Sequence, residues 1–224
     1  MALFTFWTGD TLADITGIAD TEIKKVFDIP LLSNLTSLSE QALEKRFQSG
    51  NEAWVLFYQR LPVSFGWISR GRITIGELSK ELVLPQGDAY FWNFRTLEAY
   101  RGKGFYPQLL QAMVRNESRI SASIWIIAAP EDRSSFRGII KSGFTPVGIL
   151  AYNHHQGIVL SPFQNHNRTD VAAKVFDVPL DAGQVRPCWS CYSNTMKISI
   201  AACQCKQDGF GCACGSSKST IVTP

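Results

Sequence analysis

The sequence predicts a mixed α/β fold (α+β mixed sheet), and three observations carry that reading. Ala89 to Leu97 has the two-residue alternation of a strand, with Tyr90, Trp92 and Phe94 on one face and Phe91, Asn93 and Arg95 on the other. It runs into a basic turn, Arg101-Gly102-Lys103-Gly104, and then into Phe105 to Ser118, where Leu109, Leu110, Met113 and Val114 recur at helical spacing. Ser123 to Ala129 is a continuous apolar run of the kind found in strands covered on both faces.

The remaining elements follow in order. Leu3 to Trp7 reads as an opening strand, and Asp20 to Phe27 as a short helix ended by Pro30. Ser37-Leu38-Ser39-Glu40 fits a capping box with Ser37 as the cap, ahead of a helix that buries Ala42, Leu43 and Phe47 and stops at Gly50. Two aromatic-rich strands, Glu52 to Leu61 and Val63 to Arg70, are separated by Pro62 and closed by Gly71. Ile73 to Leu84 adds irregular or strand structure. After the central run, Asp132 caps a helix to Lys141 that Gly143 stops. Thr145 to Ala151 and Gly157 to Leu160 then form a last strand pair around Asn153-His154-His155-Gln156.

The chain of 224 residues is long enough for one substantial core and a small appendage. Its net charge of +3 selects neither nucleic acid nor membrane as a partner. Met1 to Trp7 lacks the basic region and cleavage site of a secretory peptide, so a cytoplasmic protein is expected. Periodicity holds over residues 1–160, fades over a linker at 161–187 rich in turn formers, and gives way to a Cys-rich tail at 188–224. Within that linker Lys174-Val175-Phe176-Asp177-Val178-Pro179-Leu180 echoes Lys25-Val26-Phe27-Asp28-Ile29-Pro30-Leu31, which chance or a shared turn type explains, with a docking segment that competes for the first copy's packing site as the alternative.

Chemistry concentrates at the glycine turn. Two glycines let the backbone turn tightly, and the free N–H groups and positive dipole end of the following helix point at whatever sits there. A pyrophosphate suits that arrangement.

Arg101-Gly102-Lys103-Gly104-Phe105-Tyr106 resembles the R/Q-x-x-G-x-G/A signature of the GNAT acyltransferase superfamily, with Tyr106 in place of the last small residue. Ser135-Phe136-Arg137-Gly138-Ile139-Ile140-Lys141-Ser142-Gly143-Phe144 is similar to the S-x-R-x-x-x-K-x-G-F that closes the family's next helix. The two stand in the family's order, one strand apart, and the likeness covers residues 1–160. It implies a V-splayed sheet with acetyl-CoA in the gap after the fourth strand, and transfer of the acetyl group to an amine of unknown identity. On that likeness the amides of Arg101, Gly102, Lys103, Gly104, Phe105 and Tyr106 would hold the pyrophosphate, helped by the side chains of Arg101 and Lys103. Main-chain groups of Phe94 and Thr96 would align the pantetheine arm and polarise the thioester carbonyl. Tyr90 stands near the position where many members carry a carboxylate, with Asp88 two residues earlier, and Ile139 where many carry a tyrosine acid. Asp88, Tyr90 and Tyr152 are therefore the candidates for proton transfer.

Plainer roles stand beside these. Trp92, Phe94 and Trp125 suit core packing, His154 and His155 an exposed hairpin tip, and Glu77, Glu81 and Asp88 a solvated face. The tail holds all six cysteines, Cys188, Cys191, Cys203, Cys205, Cys212 and Cys214, in close pairs that suit a soft metal such as zinc, with disulfides or free thiols as the rival readings. The alternative to an enzyme is a non-catalytic CoA-binding or interaction protein that uses this tail.

Overall fold

The computed structural model describes residues 1–129, 132–152, 157–163 and 167–181. All six cysteines, together with His154 and His155, lie outside the described residues.

Strand β1 (Ala2–Trp7) enters the middle of the sheet, and β2 (Thr21–Val26) forms its edge. The helix expected over Asp20 to Phe27 is thus a strand. Its residues pair with a strongly apolar neighbour, from Thr21 opposite Tyr58 to Val26 opposite Ala53, and cross-strand packing outweighs local helix preference. Pro30 opens a helix instead of ending one. In α1 (Ile29–Thr36) it lies in the first turn, where its missing N–H costs nothing, and the Asp28 carboxylate accepts from the Leu31 N–H at 2.9 Å. Ser37 ends α1 in the left-handed region, φ 64°, so the cap of α2 (Glu40–Gln48) passes to Ser39, which accepts from the Ala42 N–H.

Strands β3 (Glu52–Tyr58) and β4 (Leu61–Ser69) form a hairpin that turns at Gln59 and Arg60, both at positive φ. Pro62 therefore sits within β4, at a register shift opposite Phe57 where an absent N–H is tolerated. A separate hairpin, β5 (Arg72–Ile75) and β6 (Lys80–Val83), precedes β7 (Asp88–Thr96), α3 (Phe105–Glu117), β8 (Ser123–Ala128), α4 (Arg133–Lys141), β9 (Thr145–Tyr152) and β10 (Ile158–Pro162).

The last described helix, α5 (Asn167–Val175), lies inside the stretch expected as linker. Its Ala172, with Phe176 and Val178 beyond it, is buried, and Leu160 bridges to Leu180. So few apolar contacts, flanked by turn formers, leave little periodicity to read. The echoed heptapeptides adopt different structures: one ends β2 and opens α1, the other ends α5 and runs into that bridge.

The eight-stranded sheet runs β10-β9-β1-β8-β7-β4-β3-β2 and is antiparallel except where β7 meets β8. Helices α3 and α4 cover one face, burying Phe4, Leu56, Phe91, Leu109, Met113 and Ile139. The other face is divided: α1 and α2 pack over Val55, Phe65 and Trp67, whereas the β5–β6 hairpin and α5 pack over Tyr90, Trp125 and Leu150. Among the described residues, no helix is long and apolar enough to cross a membrane.

Candidate functional site

The sheet opens beside β7. Its parallel pairing with β8 runs only from Asp88 opposite Ser123 to Phe91 opposite Ile126, after which the two strands part. Trp92 to Thr96 stay bonded to β4, and Ile127 and Ala128 to β1, so one edge of each strand faces the gap. A bulge falls in this segment: Trp67 pairs with Trp92 and Phe65 with Arg95, so two steps on β4 meet three on β7. Asn93 absorbs the extra residue at φ 50°, a conformation that asparagine tolerates better than most side chains. The strict alternation expected for this strand therefore breaks, and Phe94 moves to the face of Phe91 and away from Tyr90 and Trp92. Its ring lies over Gly66 and meets Tyr106 edge-on at 5.5 Å.

Beyond Thr96 the chain makes the glycine turn. Gly102 and Gly104 hold φ of 78° and 84°, and Gly104 opens α3 without a side-chain cap. The Arg101 N–H is spent on Glu98 O at 3.2 Å. The N–H groups of Gly102, Lys103, Gly104, Phe105 and Tyr106 find no acceptor among the described residues. Five free amides at a helix N-terminus, continuous with the open edge of β7, form a fitting cradle for a pyrophosphate. The Arg101 guanidinium folds back to donate to Thr96 O at 3.2 Å, and the Lys103 ammonium stands over the Tyr100 ring at 5.2 Å. Both side chains are exposed. Tyr106 is accommodated by Gly138 of α4, where the Cδ1–Cε1 edge of its ring fills the space a Cβ would take, and its hydroxyl meets Ser135 Oγ at 3.3 Å. Burial pushes the Tyr106 phenol well above its ordinary range, only partly offset by Ser135, so it stays neutral.

The three proton-transfer candidates do not meet. Asp88 begins β7 at the closed end of the splay, 8% exposed, and accepts from Trp125 Nε1 at 2.8 Å. It lines a 410 Å³ hollow with Arg70, Gly87 and Ser121, and does not stand on a solvated face as expected. Burial raises its pKa, while the hydrogen bonds from Trp125 and Ser123 pull it back. Tyr90 packs in the core with Leu78 and Trp125. Tyr152 ends β9 at the open end, where its hydroxyl donates to Leu78 O at 3.4 Å and burial raises its pKa. At about 3.3 Å per residue, Asp88 and Tyr152 lie roughly 25 Å apart along the strands. Ile139 is fully enclosed in the core.

One further group borders the bulge. The Arg46 guanidinium, on the last turn of α2, stands 4.9 Å from the Trp67 ring centre and 4.5 Å from that of Trp92. With its amide oxygen turned inward, Asn93 accepts from Arg46 Nη1 at 2.8 Å and Nη2 at 3.2 Å. Burial lowers the Arg46 pKa.

No protein-family model matches the sequence, and no curated protein matches it. Among solved structures the chain is similar to a GCN5-related N-acetyltransferase from Kribbella flavida, with 16% identity and a TM-score of 0.44 over 65% of this chain and 53% of that one. It is also similar to the ribosomal-protein-S18-alanine N-acetyltransferase of Escherichia coli, with 13% identity and a TM-score of 0.46 over 60% and 83% of the two chains. A Bacillus subtilis acetyltransferase in complex with CoA matches with 15% identity and a TM-score of 0.43 over 63% and 81%. The chain thus spans about half the length of the first of these.

Sequence reasoning singled out Trp92 and Phe94 as core aromatics but missed the bulge between them and the arginine above. The signal for the first was Asn93 itself, a side chain at home in left-handed backbone set within an aromatic strand. Arg46 carried no local signal, because its aromatic partners are 21 and 46 positions further along the chain.

Proposed function

We propose that this domain is an acyl-CoA-dependent N-acyltransferase, most simply an acetyltransferase acting on an amine. The run of five unbonded amides from Gly102 to Tyr106, leading out of the open edge of β7, carries this reading. Acetyl-CoA would supply the thioester: its carbonyl carbon bonds to the amine nitrogen, the carbon–sulfur bond breaks, and the thiol leaves. The amides of Gly102 to Tyr106 would hold the pyrophosphate, with Lys103 adding charge. The β7 main chain at Phe94 and Thr96, beside the bulge, would align the pantetheine and donate toward the oxygen on which negative charge develops.

The nitrogen's proton goes to water. The leaving sulfur takes one from the Tyr152 hydroxyl, whose pKa burial raises and which the solvent recharges. Asp88 and Tyr90 we assign to packing, since the indole bond of the first and the burial of the second suit a structural role. Binding without transfer is the second reading, favoured by the apolar Ile139 and the buried Tyr90 at the positions where acid and base were sought.

Thermal melting with acetyl-CoA, followed by release of CoA thiol in the presence of an amine panel, tests both. A shift with thiol release supports transfer, a shift without release supports binding alone, and no shift at saturating ligand removes both. Tyr152→Phe should lower kcat by about tenfold or more while leaving the shift intact.

A further inference from the structure

We propose that Arg46 is the specificity group for the acceptor, and that the acceptor amine carries a carboxylate close to its reactive nitrogen. This rests on the transferase reading of the same β7 bulge.

The observation is a cation held without an anion. Arg46 is partly buried between α2 and the sheet, yet none of the ion pairs among the described residues includes it. Its neighbours are two indole rings and the neutral amide of Asn93. Stacking on tryptophan offsets part of the cost of withdrawing a guanidinium from water, but a cation–π contact supplies no hydrogen-bond acceptor. Two of the five guanidinium N–H donors are used by Asn93, leaving three.

The surrounding groups add donors and positive charge. The Nε1–H groups of Trp67 and Trp92 are buried without an acceptor among the described residues. Arg95 is exposed and stands opposite Phe65, whose side chain packs on the α1–α2 face, so directly paired partners put Arg95 on the face of Arg46 as well. A planar guanidinium resting over two adjacent indoles, whose ring centres are 6.1 Å apart, can meet a carboxylate edge-on through two parallel bonds.

Position makes this a substrate contact. Arg46 bonds to Asn93, and the next residue, Phe94, carries the main chain assigned to the thioester. A carboxylate held by Arg46 therefore lies only a few bonds from the carbonyl carbon. That suits an α-, β- or γ-amino acid and excludes a long spacer.

The test pairs glycine, alanine, β-alanine and γ-aminobutyrate with their carboxamides as acceptors for acetyl-CoA. In parallel, N-acetylalanine and N-acetylalaninamide are titrated against tryptophan fluorescence, since Trp67 and Trp92 flank the cation. The wild type should favour acids over amides by about tenfold to a hundredfold in kcat/KM. Arg46→Met should reduce the ratio to near unity while the acetyl-CoA melting shift persists, and Arg46→Lys should recover part of it. Equal use of acids and amides by the wild type, or a preference untouched by Arg46→Met, overturns the proposal. If no amine is acetylated but N-acetylalanine still changes the fluorescence in an Arg46-dependent way, the carboxylate site stands and the transferase reading fails. If neither assay separates acid from amide while acetyl-CoA still shifts the melt, the carboxylate site fails and CoA binding stands.

Discussion

Gly66→Ala puts the packing of the β7 bulge to a test of sign. Gly66 pairs with Trp54 on one side and faces the Asn93–Phe94 bulge on the other. On backbone grounds alone, alanine in a strand should stabilise by about 0.5–1 kcal/mol. Packing argues the reverse. A Cβ at Gly66 would overlap Cδ1 and Cε1 of Phe94 and stand 2.8 Å from Cζ, so the ring must retreat by roughly 1.5 Å to regain a normal carbon separation of about 3.5–4.0 Å. The ring is held by Phe91 at 6.3 Å and Tyr106 at 5.5 Å between centres, and its backbone is the bulge itself. Overpacking of this kind costs about 1–3 kcal/mol, which leaves a net loss of roughly 1 kcal/mol and a Tm lower by about 2–4 °C. Urea and thermal melts of Gly66→Ala read this directly. The same substitution in a Phe94→Ala background should change sign and stabilise. A Gly66→Ala protein as stable as the wild type would refute the reasoning.

Gly138→Ala applies the same logic to α4: the new Cβ would stand 2.5 Å from Tyr106 Cδ1, so the variant should melt below the wild type despite a gain in helix propensity of about 1 kcal/mol. Arg70→Met should cost about 3–5 kcal/mol by urea denaturation. It strips the fully buried Glu117 carboxylate of bonds from Arg70 Nε at 2.8 Å and Nη2 at 2.5 Å. Asp88 has a folded-state pKa raised above 3.8, so the folded chain holds that proton more tightly than the unfolded one, and stability falls as pH climbs through that window. Asp88→Asn, whose Oδ1 still accepts from Trp125, should therefore gain on the wild type in melts taken from acid to neutral pH, and a constant difference would speak against it. Lys103→Glu, at an exposed position free of strain, should weaken the acetyl-CoA melting shift without lowering the Tm of the free protein.

The element order was largely legible because its signals are local. The apolar face of α3, the run of β8 and the cap at Asp132 each rest on residues a few positions apart. Where reading failed, the deciding partner was distant. β2 is a strand because β3 lies beside it, and α5 packs because Trp125 offers Phe176 a ring at 5.5 Å. The proposed cofactor side of the site could be read from Arg101 to Tyr106, since a phosphate cradle is built from consecutive amides. The proposed acceptor side could not, since Arg46, Trp67 and Trp92 come from α2, β4 and β7 and are brought together only by the sheet.

Calorimetric titration of acetyl-CoA into the full chain tests the central claim most directly. The account predicts one acetyl-CoA bound per chain, with affinity reduced by added salt and abolished by Gly104→Glu, which sets a strained, negatively charged side chain into the cradle. Absence of binding at millimolar ligand, or affinity unchanged in Gly104→Glu, would contradict it.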